Sequence, residues 1–409
     1  MKLRSFFIAL LLLLPAYAEP APQLPVKGGY ERYVRISPDA RNVVLDGSRD
    51  VWLWDCLNFE LKRKMQNLER VLGIEFSPDG KYLVLSDYPR WVGYFDITGP
   101  TPQKTWEFRD SWNQPGSIQS AGAYDMTFSS DGRYLLLVGG AHGAQQADHM
   151  VRLLRTNDGK VLREFPYWGG GRRHDSIRNF AFATYSGGFL RASHDKLQLI
   201  AVPSGEKVKE IRLGGTVHRV EPWESGVVVH HDADGGTRRA LSYYEVPSLK
   251  LLQQCTPEET FPRQTDNGSL RWERKDGKLR VFQGNQTVYE GNESARVKRW
   301  VPGGGFLLQT EDEEDLTIYS AQGQKIGSVD RFCQVQGSLS VGVPGYGGPG
   351  EIVDLKSGKK LGQFDFTSGM SLSDNGQTLA VALKSGVLLI DVPASVKAGS
   401  LVPIKKKSS

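Results

Sequence analysis

The sequence predicts an all-β chain folded as a closed ring of four-stranded antiparallel sheets, and three observations carry that expectation. One phrase recurs: ISPDARNVVL at 36–45, FSPDGKYLVL at 76–85 and FSSDGRYLLL at 128–137, with a weaker copy, LSDNGQTLAV, at 372–381. Each copy is an apolar strand, a Ser-Pro-Asp-Gly-like turn and a second apolar strand. A unit of this length cannot bury both of its apolar faces alone, so the units must stack on one another. The third observation is negative: no helical pattern of useful length follows the first twenty residues.

The chain opens with the pattern of a secretory signal over 1–18. Lys2 and Arg4 form a charged start, Phe6–Leu14 an apolar run, and Ala16-Tyr17-Ala18 a small-residue cleavage site. The run is short of the roughly 20 residues that a membrane-spanning helix needs, and no cysteine near Ala18 offers a lipid anchor. The mature protein is expected to start near Glu19, outside the cytoplasm, periplasmic or secreted. A lead-in at 19–29 can complete the last blade of the ring, the ring itself occupies 30–393, and 394–409 is expected to be a basic tail.

Within the ring, alternation of apolar and polar residues divides the unit into strands A to D. The second copy shows it best: A at Val71–Phe76, B at Lys81–Ser86, C at Trp91–Asp96 and D near Gln103–Phe108. Strand C reads VWLWD at 51–55 in the first unit and VRLLR at 151–155 in the third. Turns such as Asn157-Asp158-Gly159-Lys160, Pro203-Ser204-Gly205-Glu206 and Lys356-Ser357-Gly358-Lys359 join C to D with the Gly or Asp that tight turns need.

On FSPDGKYLVL, VWLWD and the SGK-type turns, the chain resembles the WD-repeat family and its bacterial relatives, the YVTN and TolB-type propellers, over most of residues 30–391. The resemblance implies a β-propeller that presents loops to partners. The Gly-His dipeptide that often opens a WD repeat is missing, as in a divergent bacterial propeller. Nine candidate A strands end near residues 36, 76, 128, 183, 221, 264, 300, 335 and 373. Propellers typically have roughly four to eight blades, so the expectation is a single ring of eight, with seven next.

Charge and cysteine usage narrow the function. The formal charge is +5, falling to +3 once Lys2 and Arg4 are removed, and it is spread along the chain. That excludes a nucleic-acid footprint. Cys56, Cys255 and Cys333 are an odd and scattered set, so no disulfide is expected, and Cys56 and Cys333 should be buried as small core residues.

Antiparallel order places the A–B and C–D turns at one end of the ring and the B–C and D–A connections at the other. The turns are short and alike. The connections are long and varied: 110–122, 139–149, 166–175, HHDADGG at 230–236, EDEED at 311–315 and GVPGYGGPG at 342–350. Long loops on a rigid scaffold are where binding residues concentrate. The candidate binding set is Trp112, Tyr167, Trp168, Arg172, Arg173, His174, His142 and His149, because aromatic and guanidinium groups in Gly-rich loops suit recognition of carboxylates, glycans or a protein hot spot. Asp39, Asp79, Asp131 and Asp374 of the turns should lie on the opposite face.

No cofactor is indicated, and no metal, since the His142/His149 and His230-His231-Asp232 clusters lack a ligand spacing. There is no GxSxG elbow, HExxH, P-loop or dinucleotide fingerprint. The leading expectation is a binding or assembly scaffold for another protein or an envelope component. The alternative is a propeller enzyme, a lyase or hydrolase, with His142, His149 or His231 near the channel mouth.

Overall fold

A computed structural model describes residues 24–25, 33–47, 50–65, 68, 71–87, 91–109, 121–141, 150–166, 180–182, 187–193, 195–223, 226–233, 238–255, 270–292, 294–301, 304–310, 315–329, 333–342, 350–364, 366–383 and 386–405. Among these residues the strands form nine antiparallel sheets, eight of four strands and one of three. The A strands of blades 9 and 1, of 2 and 3, of 3 and 4 and of 4 and 5 lie against each other. The molecule is a β-propeller of nine blades, not eight. The weak middle units hold because each buries apolar surface against a neighbour. The fifth does so with Val217, Val220, Val227 and Val229 against Leu190 and Leu197 of the fourth, and the sixth with Leu270, Leu279 and Val281 against Phe306 and Leu308 of the seventh.

The core lies between sheets, which explains strands that are buried on both faces. Strand B of blade 9, Thr378–Leu383, is buried along its whole length. Leu379, Val381 and Leu383 pack toward blade 8, while Ala380 and Ala382 pack toward blade 1. Successive residues of a strand point to opposite faces, so a blade held between two neighbours needs apolar residues at both parities. Large side chains on one face and alanines on the other let the sheets nest.

The A–B turns repeat one hydrogen-bonded motif. Ser77 Oγ donates to Asp79 Oδ1 at 2.7 Å and accepts the Tyr82 N–H at 2.9 Å. Ser37 with Asp39 and Ser129 with Asp131 do the same. In the last copy Ser373 Oγ donates to Asn375 Oδ1 at 2.7 Å, so Asn375 rather than Asp374 takes the acceptor's place. The residue that follows is left-handed in each: Gly80 at φ 71°, Gly132 at 70°, Gly376 at 68° and, against its own preference, Ala40 at 60°.

A second repeated device joins blade to blade. In blades 1 to 5, 7 and 8 the C–D pairing carries a bulge and the B–C pairing none. In the three-stranded sheet the bulge falls between the second and third strands, so Leu270–Lys275, Lys278–Gln283 and Gln286–Asn292 are B, C and D. The place of its strand A in the chain, 256–269, lies outside the described residues.

A bulge re-aims the residue beside it. Here the residue after the bulge turns toward the C–D turn of the next blade. Arg63 Nη1 donates to Pro102 O at 3.0 Å, Trp106 Nε1 to Thr156 O at 2.7 Å, and Arg163 Nε to Ser204 O at 2.8 Å. Lys209 Nζ donates to Ser248 O. In blade 6 the equivalent Tyr289 sets its ring edge-on to Phe306 of blade 7. In blade 7 the equivalent is Gly327, where an added Cβ would stand 3.2 Å from the Gly358 carbonyl.

The ring closes through the chain start. Leu24 and Pro25 pair with Val387 and Gly386, taking the fourth place in the last sheet, and the Ile36 N–H of blade 1 donates to Ser371 Oγ of blade 9 at 3.1 Å. The segment expected as a tail from 394 is built into the molecule as far as Lys405. Asp391 accepts the Ala394 N–H at 2.9 Å to cap a helix over Val392–Ala398, with Pro393 in its first turn and left-handed Gly399 ending it. Beyond it, Leu401 packs on Gly362 of blade 8 and the Ile404 N–H donates to Leu389 O at 3.0 Å.

Candidate functional site

Strand pairing identifies which connections share an end of the ring. In blade 2, Val71 pairs with Asp87, Asp87 with Trp91 and Trp91 with Arg109, so all four stand at one rim. In blade 3 the same rim carries Ala121 opposite Ala141, and Met150 opposite both Gly139 and Pro166. The connections 110–120, 142–149 and 167–179 therefore start from this one loop face, on consecutive blades. Trp112 falls in the first, His142 and His149 in the second, and Tyr167, Trp168, Arg172, Arg173 and His174 in the third. All eight lie outside the described residues, as do 311–314 and 343–349. The opposite face carries the short A–B and C–D turns and the interblade latches.

The inner rim of the loop face bears two further groups. His231, weighed above as a channel-mouth histidine, is instead a core residue, 3% exposed. Its Nε2 lies 2.7 Å from Ser242 Oγ and its Nδ1 2.8 Å from Asp232 O. Its neighbour across the ladder takes the exposed place: His218 Nε2 lies 2.7 Å from Asp232 Oδ1. His218 is the extra residue of a bulge between Val217 and Arg219 in strand A of blade 5. It was not legible in the sequence because a bulge breaks the alternation by which the two faces of a strand are told apart. A carboxylate that fixes an imidazole orients it for hydrogen bonding or proton transfer. Among the described residues no three His, Cys, Asp or Glu side chains come together to hold a metal.

A cleft of about 350 Å³ opens between blades 7 and 8. Lys298 and Arg299, from strand A of blade 7 (Arg296–Trp300), and Gln309, at the end of strand B, form its polar side. Leu307, Leu316 and Val335 form its apolar side. Lys298 is again a bulge residue, lying between Val297 and Arg299 in the pairing with strand B. Both cations are exposed, yet burial holds each below its usual pKa, and the Arg296 charge adds to the effect on Lys298. A concave wall has this result, because it leaves the charge open to water on one side and removes solvent on the others. Cys333 lines the same cleft and is half-buried, not the core residue expected, because it lies on the D–A connection at the rim. Cys56 is buried and free.

No protein-family model and no curated relative matches the sequence. Among solved structures the chain is similar to a eukaryotic initiation factor, at 13% identity over 92% of this chain and 95% of that one, with a TM-score of 0.54. It also aligns with BamB from Moraxella catarrhalis, at 12% identity, 79% and 94% coverage and a TM-score of 0.46. The dihydro-heme d1 dehydrogenase NirN gives 15%, 75%, 67% and 0.47. At these identities the likeness is one of fold. No helix among the described residues is long and apolar enough to cross a membrane.

Proposed function

We propose that the protein is an exported propeller of the WD-repeat kind that captures a protein partner or envelope component on its loop face and acts as a binding or assembly scaffold. The observation that supports this reading is the one-sidedness of the ring. The connections that leave Arg109, Ala141 and Pro166 start from one rim of adjoining blades, and they carry two tryptophans and three arginines within 110–120 and 167–179. The opposite rim is consumed by tight turns that bond to the next blade. Insertions that drifted freely would lengthen both faces.

The test is capture from an envelope extract by the tagged protein, with bound chains identified by mass. Trp168→Ala with Arg172→Ala should abolish capture while the melting temperature stays put. Truncating a hot spot typically costs about 2 kcal/mol or more, roughly thirtyfold in affinity. Asn157→Ala with Lys356→Ala, on exposed C–D turns, should leave capture intact. Loss in the turn variant with retention in the loop variant would assign binding to the wrong face. The mass of the protein recovered from the envelope tests export, and it should correspond to a chain starting at Glu19.

A further inference from the structure

We propose that the cleft between blades 7 and 8 binds a small amphipathic anion, a carboxylate or phosphate on an apolar body, with Lys298 and Arg299 holding the acidic group. The site lies in a different sector from the Trp112 and Trp168 loops and stands independently of the scaffold reading. Elsewhere on the ring, several strand cations have a fixed partner: Lys278 and Arg280 both bond Glu290, at 2.5 and 2.7 Å, Arg152 bonds Glu164 at 2.6 Å, and Arg63 and Arg163 bond carbonyls of the next blade. Among the described residues, Lys298 and Arg299 have no such partner, and none of the described residues that line the cleft is acidic.

Successive residues on a strand ordinarily face opposite ways. The bulge at Lys298 brings both cations to one space, where loss of solvent disfavours the charge of each. An anion entering the cleft offsets that cost twice. Arg299 offers a planar fork, Lys298 a mobile point charge and Gln309 an amide to orient the ligand. Leu307, beside Arg299 on the ladder, with Leu316 and with Val335 of blade 8, gives contact surface to an apolar group. The volume, about 350 Å³, falls within the range of roughly 300–1,000 Å³ typical of small-molecule sites.

Cys333 on the cleft wall supplies the readout. In a Cys255→Ser background, the rate at which a neutral aryl disulfide modifies Cys333 is followed at low salt, with phenyl phosphate, phenylacetate, inorganic phosphate or benzyl alcohol added. Buried Cys56 reports only unfolding. At least one of the two aryl anions should slow modification saturably, as for one site, and the one effective at lower concentration names the source, phosphate ester or carboxylic acid. Inorganic phosphate should need a higher concentration than the better aryl anion, and benzyl alcohol should do nothing. Lys298→Gln with Arg299→Gln should weaken protection at least tenfold, and Arg299→Lys should lose less, because charge survives but the fork does not. The proposal is overturned if neither aryl anion protects Cys333, or if benzyl alcohol protects as well as they do. It is also overturned if the folded double variant is protected like the parent. Protection in the parent needs no variant, so a double variant that failed to fold would leave the test standing.

Discussion

The A–B turns make a quantitative prediction, because two equivalent glycines differ only in what surrounds them. At Gly376 an added Cβ would meet nothing within 4 Å, so alanine there feels only the left-handed backbone. That conformation costs an L-residue about 1–2 kcal/mol, and the loss of unfolded-state freedom returns about 0.4–1 kcal/mol. Gly376→Ala should therefore destabilise by roughly 0.5–1 kcal/mol. At Gly80 the same atom would stand 2.7 Å from Asp39 Cγ and Oδ1, in the turn of the preceding blade. Asp39 would have to leave Ser37 Oγ, 2.6 Å away, and the Arg41 N–H, at 3.1 Å. Each such bond contributes about 1 kcal/mol, so Gly80→Ala should cost roughly 2–3 kcal/mol. Ala40→Gly, the reverse change at φ 60°, should gain a few tenths to about 1 kcal/mol. Urea unfolding followed by circular dichroism reads all three. Equal costs at Gly80 and Gly376 would refute the contact between neighbouring turns and with it the packing of blade 1 on blade 2.

Further outcomes follow from the same structure. Leu24, fully buried at the seam, should cost about 2–5 kcal/mol on truncation to Ala, read by the same urea titration; a surface-like cost would show that the chain start does not close the ring. At Asp79 burial acts to raise the carboxyl's pKa, but the Ser77 hydroxyl, the Lys81 N–H and the Lys81 charge outweigh it, and the net value lies below the ordinary 3.8. Asp131 is lowered in the same way by Ser129 and Arg133. A depressed carboxylate stabilises the fold above its unfolded pKa and loses that contribution as pH falls through the folded value. Stability should thus decline as pH drops below 3.8, and Asp79→Asn with Asp131→Asn should flatten the decline measured by urea titration across acid pH. A thiol reagent should reach Cys333 in the native protein and Cys56 only after unfolding, and a melting temperature that shifts on reduction would reveal a disulfide.

The fold was legible where chemistry repeats. Ser77-Pro78-Asp79-Gly80 announces a turn because serine, aspartate and glycine each do a separate job in it, and the copies at 37, 129 and 373 repeat those jobs. The sixth unit has neither this turn nor an SGK turn, and only the bulge at Val281/Phe282 identifies its strands. A bulge has no residue signature, since Val208, Leu252 and Ile326 occupy the same place. The same blindness hid His218 and Lys298, both on bulges of innermost strands, and sent attention to His231, which is buried. The loop chemistry around Trp112 and Trp168 was legible as composition alone, because a connection's shape depends on packing that no period of two or 3.6 records. The C-terminal segment was misread for a simpler reason. Its basic residues Lys405–Lys407 dominate the composition, while Asp391, Pro393 and Gly399 frame a helix too short to show periodicity.

The interblade latches all run one way, from strand D to the following blade, and the last blade has only Leu24 and Pro25 in that place. The C-terminal segment meets the need: Ile404 packs on the cluster that joins blades 9 and 1, beside Phe59 of the first C–D turn. Leu24–Pro25 and the segment up to Ile404 thus form one knot of contacts on a single sheet. A linear array of repeats frays from two separate ends, each of which must be capped. This ring has one fraying point, and every interior blade is shielded from it on both sides. A fusion or tag at either terminus pulls on that same knot, so the two ends are one mechanical address.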